Sequence, residues 1–345
     1  MATEAYSISF VALKLYTMKQ LIIDFTNQLS KAIVIGNAYS PSDKSRKLSN
    51  VLISGLGGSG IGGTIAAEVV ASEARMPIAT NNGYFIPGFV DDETLFLACS
   101  YSGNTEETVS AAELAHEKGA KVVVISSGGK LKEMAEAHHW DFISIPGGQP
   151  PRASFGLSFP EVLYALYAHD VISKGFEKEL EAGIKLLDEN EEAIQKDAIA
   201  ITEKLFGKIP VIYAADGFGG VATRFRQQVN ENAKMLCWHH VIPEMNHNEL
   251  VGWRDKNEDL AVVLFRNETD FKNIQARMDI NKKTFAEYTN TTVEIWSKGT
   301  SDLQRALYLI HIGDWISFFL GEKKGVDITE VKVIDYLKSE LAKLS

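Results

Sequence analysis

Ser100-Tyr-Ser-Gly-Asn-Thr-Glu-Glu-Thr108 follows an apolar run, Leu95-Phe-Leu-Ala-Cys99, and leads directly into a helical pattern. A strand that ends in such a turn and restarts as a helix is a natural anion site. The first N–H groups of a helix lack partners and carry the positive end of its dipole. Gly103 allows the sharp turn that the junction needs. Ser, Thr and Asn are also the ordinary residues of helix starts, so on these nine residues alone an anion site and a plain N-cap stand level.

A second loop shifts that balance. Gly55-Leu-Gly-Gly-Ser-Gly-Ile-Gly-Gly63 lies between the apolar run Val51–Ser54 and a small-residue helix pattern, Thr64–Ala71. Glycines at a strand-to-helix junction let a ligand approach the backbone at the carboxyl edge of a parallel sheet. No Lys-Ser or Lys-Thr follows, which excludes a Walker loop, and no ribose-binding acid ends the next strand, which weakens a dinucleotide reading. Either loop alone is weak; the pair points to a phosphate.

The pattern around the loops reads as one design used twice. Strands expected at Val51–Ser54, Ile78–Thr80, Leu95–Cys99, Val122–Ile125 and Phe142–Ile145 alternate with helices near 64–73, 105–118 and 130–138. After Pro146-Gly-Gly-Gln-Pro-Pro151 a mostly helical region runs from about 160 to 205. Its charged amphipathic stretch, Glu177–Lys204, reads as a connector packed across domains. Strand and glycine turn then recur in Pro210-Val-Ile-Tyr-Ala-Ala-Asp-Gly-Phe-Gly-Gly220, with Val221–Met235 as the helix. Leu260–Phe265 repeats the strand before the serine loop, but Arg266-Asn-Glu-Thr-Asp stands where the hydroxyls should be, so one phosphate site per chain is expected. Thr292–Trp296 adds a strand, and Ser301–Leu320 and Ile334–Leu344 read as closing helices. The expected class is α/β, with two αβα sandwich subdomains, mainly parallel sheets and a pseudo-duplication. Its segments are an N-terminal helical piece (1–35), a first domain (36–155), a helical connector (156–205) and a second domain with C-terminal helices (206–345).

Composition narrows the function. A chain of 345 residues with 45% hydrophobic content can bury a substantial core. A net charge of −10 argues against nonspecific nucleic-acid binding and leaves phosphate capture to local amides, hydroxyls and a few cations. The two cysteines, Cys99 and Cys237, give no disulfide framework and read as reduced core thiols of a cytoplasmic protein. No run of eighteen apolar residues suggests a membrane span. Ala5–Tyr16 lacks the basic start and small-residue cleavage site of a signal peptide, and Met18 is an alternative start.

The Gly-Gly-Ser-Gly loop, the Ser-Tyr-Ser-Gly-Asn-Thr segment and the duplicated halves resemble the sugar isomerase (SIS) fold. Pro151-Arg-Ala153, Asn230-Glu-Asn-Ala-Lys234, Pro243-Glu-Met-Asn-His-Asn-Glu249 and Ile334-Asp-Tyr-Leu-Lys338 narrow the resemblance to the bifunctional phosphoglucose/phosphomannose isomerases, from about residue 50 onward. The resemblance implies a cofactor-free, metal-independent aldose–ketose isomerase of hexose 6-phosphates. Fructose 6-phosphate would be the ketose, with glucose 6-phosphate and mannose 6-phosphate as aldoses. A noncatalytic sugar-phosphate sensor and an SIS enzyme of amino-sugar phosphates are the alternatives.

The same resemblance implies roles for residues. Gly58, Ser59, Ser100, Ser102 and Thr105 would bind the phosphate. Glu231 matches the general base that moves a proton between C2 and C1, with Asn230 and Asn232 placed to orient it. On helix pattern alone Glu231 would be a solvated glutamate. Arg152 matches the cation that stabilises the developing oxyanion. His247 matches the ring-opening histidine, contributed across a homodimer interface to the partner's site. Lys338 matches the late lysine near the ring oxygen, with Lys332 as the alternative, and Thr329 is a candidate for the tolerance of both epimers. His239, His240, Glu244, His247 and Glu249 could suggest a metal cluster, but no His-Glu-x-x-His helix or cysteine pair supports one. Trp238, Trp253, Trp296 and Trp315 could stack on a sugar, although aromatics at such intervals are more often core.

Overall fold

A computed structural model describes residues 17–341 and Lys343. The Ala5–Tyr16 stretch lies outside the described residues. The chain opens with α1 (Met18–Ile23) and α2 (Phe25–Ala38). The first sheet follows, built from β1 (Asn50–Gly55), α3 (Gly57–Val69), β2 (Ile78–Asn81), β3 (Thr94–Cys99), α4 (Glu106–Glu117), β4 (Lys121–Ser126), α5 (Gly129–His138) and β5 (Asp141–Ser144). Two helices come next, α6 (Phe155–Ala168) and α7 (Gly175–Leu205). The second sheet uses β6 (Ile209–Ala215), α8 (Gly219–Ala233), β7 (Trp238–Ile242), β8 (Leu260–Arg266), α9 (Lys272–Phe285) and β9 (Thr292–Trp296), and the chain closes with α10 (Asp302–Lys324) and α11 (Lys332–Leu341).

The first sheet runs β2-β1-β3-β4-β5 and the second β7-β6-β8-β9, with every pair parallel. The second sheet therefore repeats the order of the first without its last strand. Central strands are apolar on both sides, as parallel strands covered on both faces must be. Leu52, Phe96, Ala98, Val122 and Val124 pack under α4 and α5, while Ile53, Leu95, Leu97 and Val123 face α3 and α6. In the second sheet, Val211, Tyr213, Val262 and Leu264 meet α9. The opposite face, with Ile212, Ala214, Val263 and Phe265, joins the same core as the inner face of the first sheet. One continuous core thus lies between the two sheets, filled by α3, α6, α8 and α10.

Four features depart from the sequence reading. The helix expected from residue 64 begins at Gly57, so most of the glycine stretch is helical. Tertiary packing overrides the poor helix propensity of glycine here, because α3 is wedged against neighbouring backbone and rings. An edge strand, β7, occupies Trp238–Ile242, where half-exposed polar residues gave no strand pattern. Helix α9 was likewise not anticipated. The helical region expected over 160–205 is two elements with different attachments: α6 packs on α2, α3 and the first sheet, whereas the 31-residue α7 lies along α10 and α2.

Helix α6 is buried almost throughout, and Glu161 on it is fully buried with neither carboxylate oxygen hydrogen-bonded. Burial pushes this carboxyl up to about 9, so it is neutral in the folded protein at pH 7. The folded state then holds a proton that the unfolded chain releases above its ordinary value of 4.5, and stability falls as pH rises from there towards 9. Glu161→Met, apolar and similar in volume, should stabilise the protein, and by more at pH 8 than at pH 5. Urea unfolding at both values checks this, with the expected difference on the order of a few kcal/mol.

Candidate active site

The two loops singled out in the sequence flank the topological switch point of the first sheet. Strands β1 and β3 are neighbours, Gly55 pairs in register with Cys99, and α3 and α4 leave in opposite directions, which opens a crevice at the carboxyl ends of the strands. No side chain caps α3; the Ser59 and Gly60 amides turn back to the Leu56 carbonyl, and the Gly57 and Gly58 amides ahead of them face the junction where a ligand can dock. The Ser59 hydroxyl accepts from the Tyr101 amide (3.0 Å) and so joins the two loops while keeping its own proton to donate. Ser100 is buried; its Oγ accepts from the Gly103 amide (3.1 Å) and pairs with Thr105 Oγ1 at 2.8 Å. Ser102 is exposed, and its Oγ accepts from the Asn104 amide (3.2 Å). Gly103 has φ +70°, and a Cβ there would stand 1.7 Å from the Gly128 carbonyl oxygen, so the turn requires glycine.

Arg152 sits on a 3-10 turn, Pro151–Ala153, directly against this crevice: a Cβ on Gly58 would lie 3.2 Å from Arg152 Cα. Tyr101 of the serine loop, whose OH accepts from the Gln149 amide (3.1 Å), holds the approach to the same turn. The guanidinium then crosses to the second half of the chain. Nε donates to Asn232 Oδ1 (2.8 Å), Nη1 to Glu231 Oε2 (3.3 Å), and Nη2 to the carbonyls of Ile328 (2.6 Å) and Thr329 (3.1 Å). Arg152 is only 4% exposed, and burial pulls it below its usual range while Glu231, Asp327 and Glu330 act in the opposite sense.

Helix α8 supplies two of these acceptors, Glu231 and Asn232, and is itself fixed by a buried network. Arg224 pairs with Asp314 at 2.8 Å, donates to the Arg152 carbonyl (3.2 Å) and lies over the Phe155 ring. Gln228 donates to Asp314 Oδ1 (2.8 Å) and Asn232 to Ser317 Oγ (2.9 Å). Residues 224, 228 and 232 recur every four positions and form one stripe facing α10. Asn232 therefore orients Arg152 rather than Glu231, and Asn230 bonds the Met235 carbonyl instead (2.7 Å). The role of Asn232 depends on contacts with segments eighty and eighty-five residues away, whereas the Asn230 bond is local.

The structure brings Gly58, Ser59, Ser100, Ser102, Thr105, Arg152 and Glu231 together through these links, and none of the links includes His247 or Lys338. His247 is exposed on the 3-10 turn Glu244–His247 after β7, and Lys338 is exposed on α11, which buries no residue; neither bonds to the other candidates. Lys332 is also exposed, at the start of α11. Exposed Thr329 meets Arg152 through its carbonyl, not its side chain. Among the described residues no three of the five that could suggest a metal cluster come together, and four of them are engaged separately: His239 with Thr223, His240 with its own strand, Glu244 with Asn248 and Glu249 with Tyr213 and Trp238. Trp315 and Trp253 are core, whereas Trp238 and Trp296 are 39% and 42% exposed and Trp296 carries the Arg266 guanidinium on its ring. Burial pushes both thiols, Cys99 and Cys237, up to about 12.

Comparison with known proteins adds to this geometry. Residues 194–341 match the bacterial phospho-glucose isomerase C-terminal SIS domain. The bifunctional phosphoglucose/phosphomannose isomerase of Caldicellulosiruptor bescii is 37% identical over 95% of this chain and 99% of that protein. The protein of the same name from Aquifex aeolicus is 36% identical over 85% of this chain and 90% of its own length. Among solved structures, the C-terminal domain of glucosamine-fructose-6-phosphate aminotransferase from Francisella tularensis superposes with a TM-score of 0.72 at 13% identity. It covers 91% of this chain and 97% of that domain, a likeness of fold.

The buried bond from Arg152 to Asn232 gives a direct test. Asn232→Ala leaves a buried guanidinium N–H without a partner, removes the donor to Ser317 Oγ, which keeps its own bond to the Asp314 carbonyl (2.8 Å), and should lower unfolding stability by on the order of 1–3 kcal/mol in urea. Thr329→Ala, which removes no bonded side-chain atom, should leave it nearly unchanged.

Proposed function

Because the chain belongs to the bifunctional phosphoglucose/phosphomannose isomerase family, we propose that it interconverts glucose 6-phosphate and mannose 6-phosphate with fructose 6-phosphate through a cis-enediol. The observation that carries the reading is the pairing of buried Arg152 with half-buried Glu231, set against the glycine and serine loops of the first sheet. A carboxylate, a fixed cation and a phosphate cradle are what proton transfer at C2 of a hexose phosphate requires.

Gly58, Ser59, Ser100, Ser102 and Thr105 hold the phosphate through amides and hydroxyls. The Glu231 carboxylate removes the proton from C2 of the open-chain aldose while the C1 carbonyl oxygen gains one, giving the enediol. Return of the proton to C1 and loss of the C2 hydroxyl proton complete the ketose. Arg152 offers fixed donors as charge builds on oxygen, and its existing bonds mean that little reorganisation accompanies the step. Delivery of the proton to either face of C2 gives either aldose, with Thr329 near Arg152 as the residue that tunes the outcome. Lys338 serves the ring oxygen and C1 hydroxyl.

His247 opens the sugar ring of the partner's site in a homodimer. Its exposure and its lack of any bond to Arg152 or Glu231 support this reading, since an exposed imidazole beside edge strand β7 is free to reach a second chain.

Purified protein given fructose 6-phosphate should yield both aldoses in coupled dehydrogenase assays, with a chelator making no difference. Ligand binding without turnover would instead indicate a sensor. Glu231→Gln should lower kcat by about 10²–10⁴, the usual contribution of a general base. Ser102→Ala should act mainly through KM. Mixing inactive Glu231→Gln with inactive His247→Ala chains should restore activity; no recovery in a confirmed hybrid dimer would place His247 outside the partner's site.

A further inference from the structure

Lys234 ends helix α8 in the left-handed conformation (φ +53°), uncommon for a lysine, and its side chain turns back along the helix end. Its Nζ donates to the Glu231 carbonyl, to the Glu330 carbonyl (2.8 Å) and, more weakly, to the Ile328 carbonyl (3.4 Å), and stands 4.0 Å from the Glu330 carboxylate. Arg152 takes the carbonyls of Ile328 and Thr329. Three successive carbonyls, 328 to 330, are thus held by two cations, and Ile328 is shared between them.

Beyond this segment α11 buries no residue, so among the described residues Arg152, Lys234 and the packing of Ile328 against the core are what fasten the C-terminal helix to the body. The other bonds of the segment are local: Asp327 Oδ1 accepts from the amides of Thr329 and Glu330, and the Val326 amide donates to Gly321. We propose that Lys234 is a positioning residue of the isomerase site, holding the 328–330 segment against Arg152 and setting the reach of α11 with its Lys338. Lys234 touches no reacting atom in this role. It fixes one side of the Arg152 guanidinium through the shared Ile328 carbonyl and the end of the helix that carries Glu231. A lysine that only capped α8 would need the Glu231 carbonyl alone, since that bond satisfies a helix-end acceptor.

The inference rests on the proposed isomerase activity for its kinetic part and is independent of it for its structural part. Wild type, Lys234→Met and Lys234→Arg are compared by amide hydrogen exchange over residues 326–341 and by kcat and KM for fructose 6-phosphate. Lys234→Met should raise exchange over 326–341 by about tenfold, the effect of losing one or two charged hydrogen bonds, with no change in the first sheet. It should lower kcat by about tenfold with a smaller change in KM, as expected when a transition-state contact is misplaced. Lys234→Arg should restore most of both. Unchanged exchange or unchanged kcat in Lys234→Met overturns the proposal; should that variant fail to fold, Lys234→Gln is read by the same criteria. A wild type that turns nothing over refutes the isomerase reading instead, and the exchange result still decides whether Lys234 tethers the segment.

Discussion

The Arg152 guanidinium belongs to the first half of the chain by sequence and to the second half by its hydrogen bonds. A buried cation is costly unless its donors are satisfied, and truncating one partner leaves the charge uncompensated. Four contacts meet this demand, and they come from two places, the end of α8 and the segment after α10. Its position therefore depends on both sheets being folded and correctly docked. The stripe of Arg224, Gln228 and Asn232 against Asp314 and Ser317 extends the same demand into the core, because each member is buried and each bond specifies one register of α8 on α10.

The two halves of the duplicated design differ at their strand-to-helix junctions. In the first sheet the start of α3 is uncapped and the serine loop presents hydroxyls. In the second sheet the corresponding start of α8 is already filled: the Gly220 amide donates to both carboxylate oxygens of Glu68 at 2.9 Å, a side chain from the first half. Burial pushes that carboxyl up to about 7, and the Gly220 bond at the helix start acts in the opposite sense, offsetting part of the cost of burying it. At the end of β8, Arg266 is 2% exposed and engaged by Glu294 (2.6 Å) and Asp279 (2.9 Å), while Asn267 bonds Asp270 and Ser297. Both junctions are closed by the protein's own charges.

The parts of this arrangement that could be read in the sequence are those set by local chemistry. Continuous apolar runs gave the buried parallel strands, and hydroxyls and glycines after two of them gave the crevice. Strand β7 escaped because Trp238, His239 and His240 lie on a half-exposed edge, where alternation carries little contrast. Helix α9 is short of apolar residues, burying only Ile274, Met278, Asn281 and Phe285. The role of Asn232 depends on residue 152 arriving from eighty positions away, and no periodicity encodes that. Arg152 and Glu231 came from motif resemblance, and their adjacency is a property of the tertiary fold alone.

The candidate residues divide by how firmly they are held, and the division follows the chemistry assigned to them. Arg152 and Glu231 stand on elements locked by buried bonds, which suits groups that must meet developing charge without rearranging. His247 and Lys338 stand on an edge turn and on a helix that buries no residue. Proton exchange at a ring oxygen precedes the C2 step and involves a substrate that changes shape as it opens, so groups on elements that dock late are compatible with it, whereas a loosely held base at C2 would lose the gain from orientation. If that division is functional, the exposed apolar side chains of α11, Val333, Tyr336 and Leu337, must find a surface when the site is complete. The cations at 152 and 234 then decide from where that helix can reach.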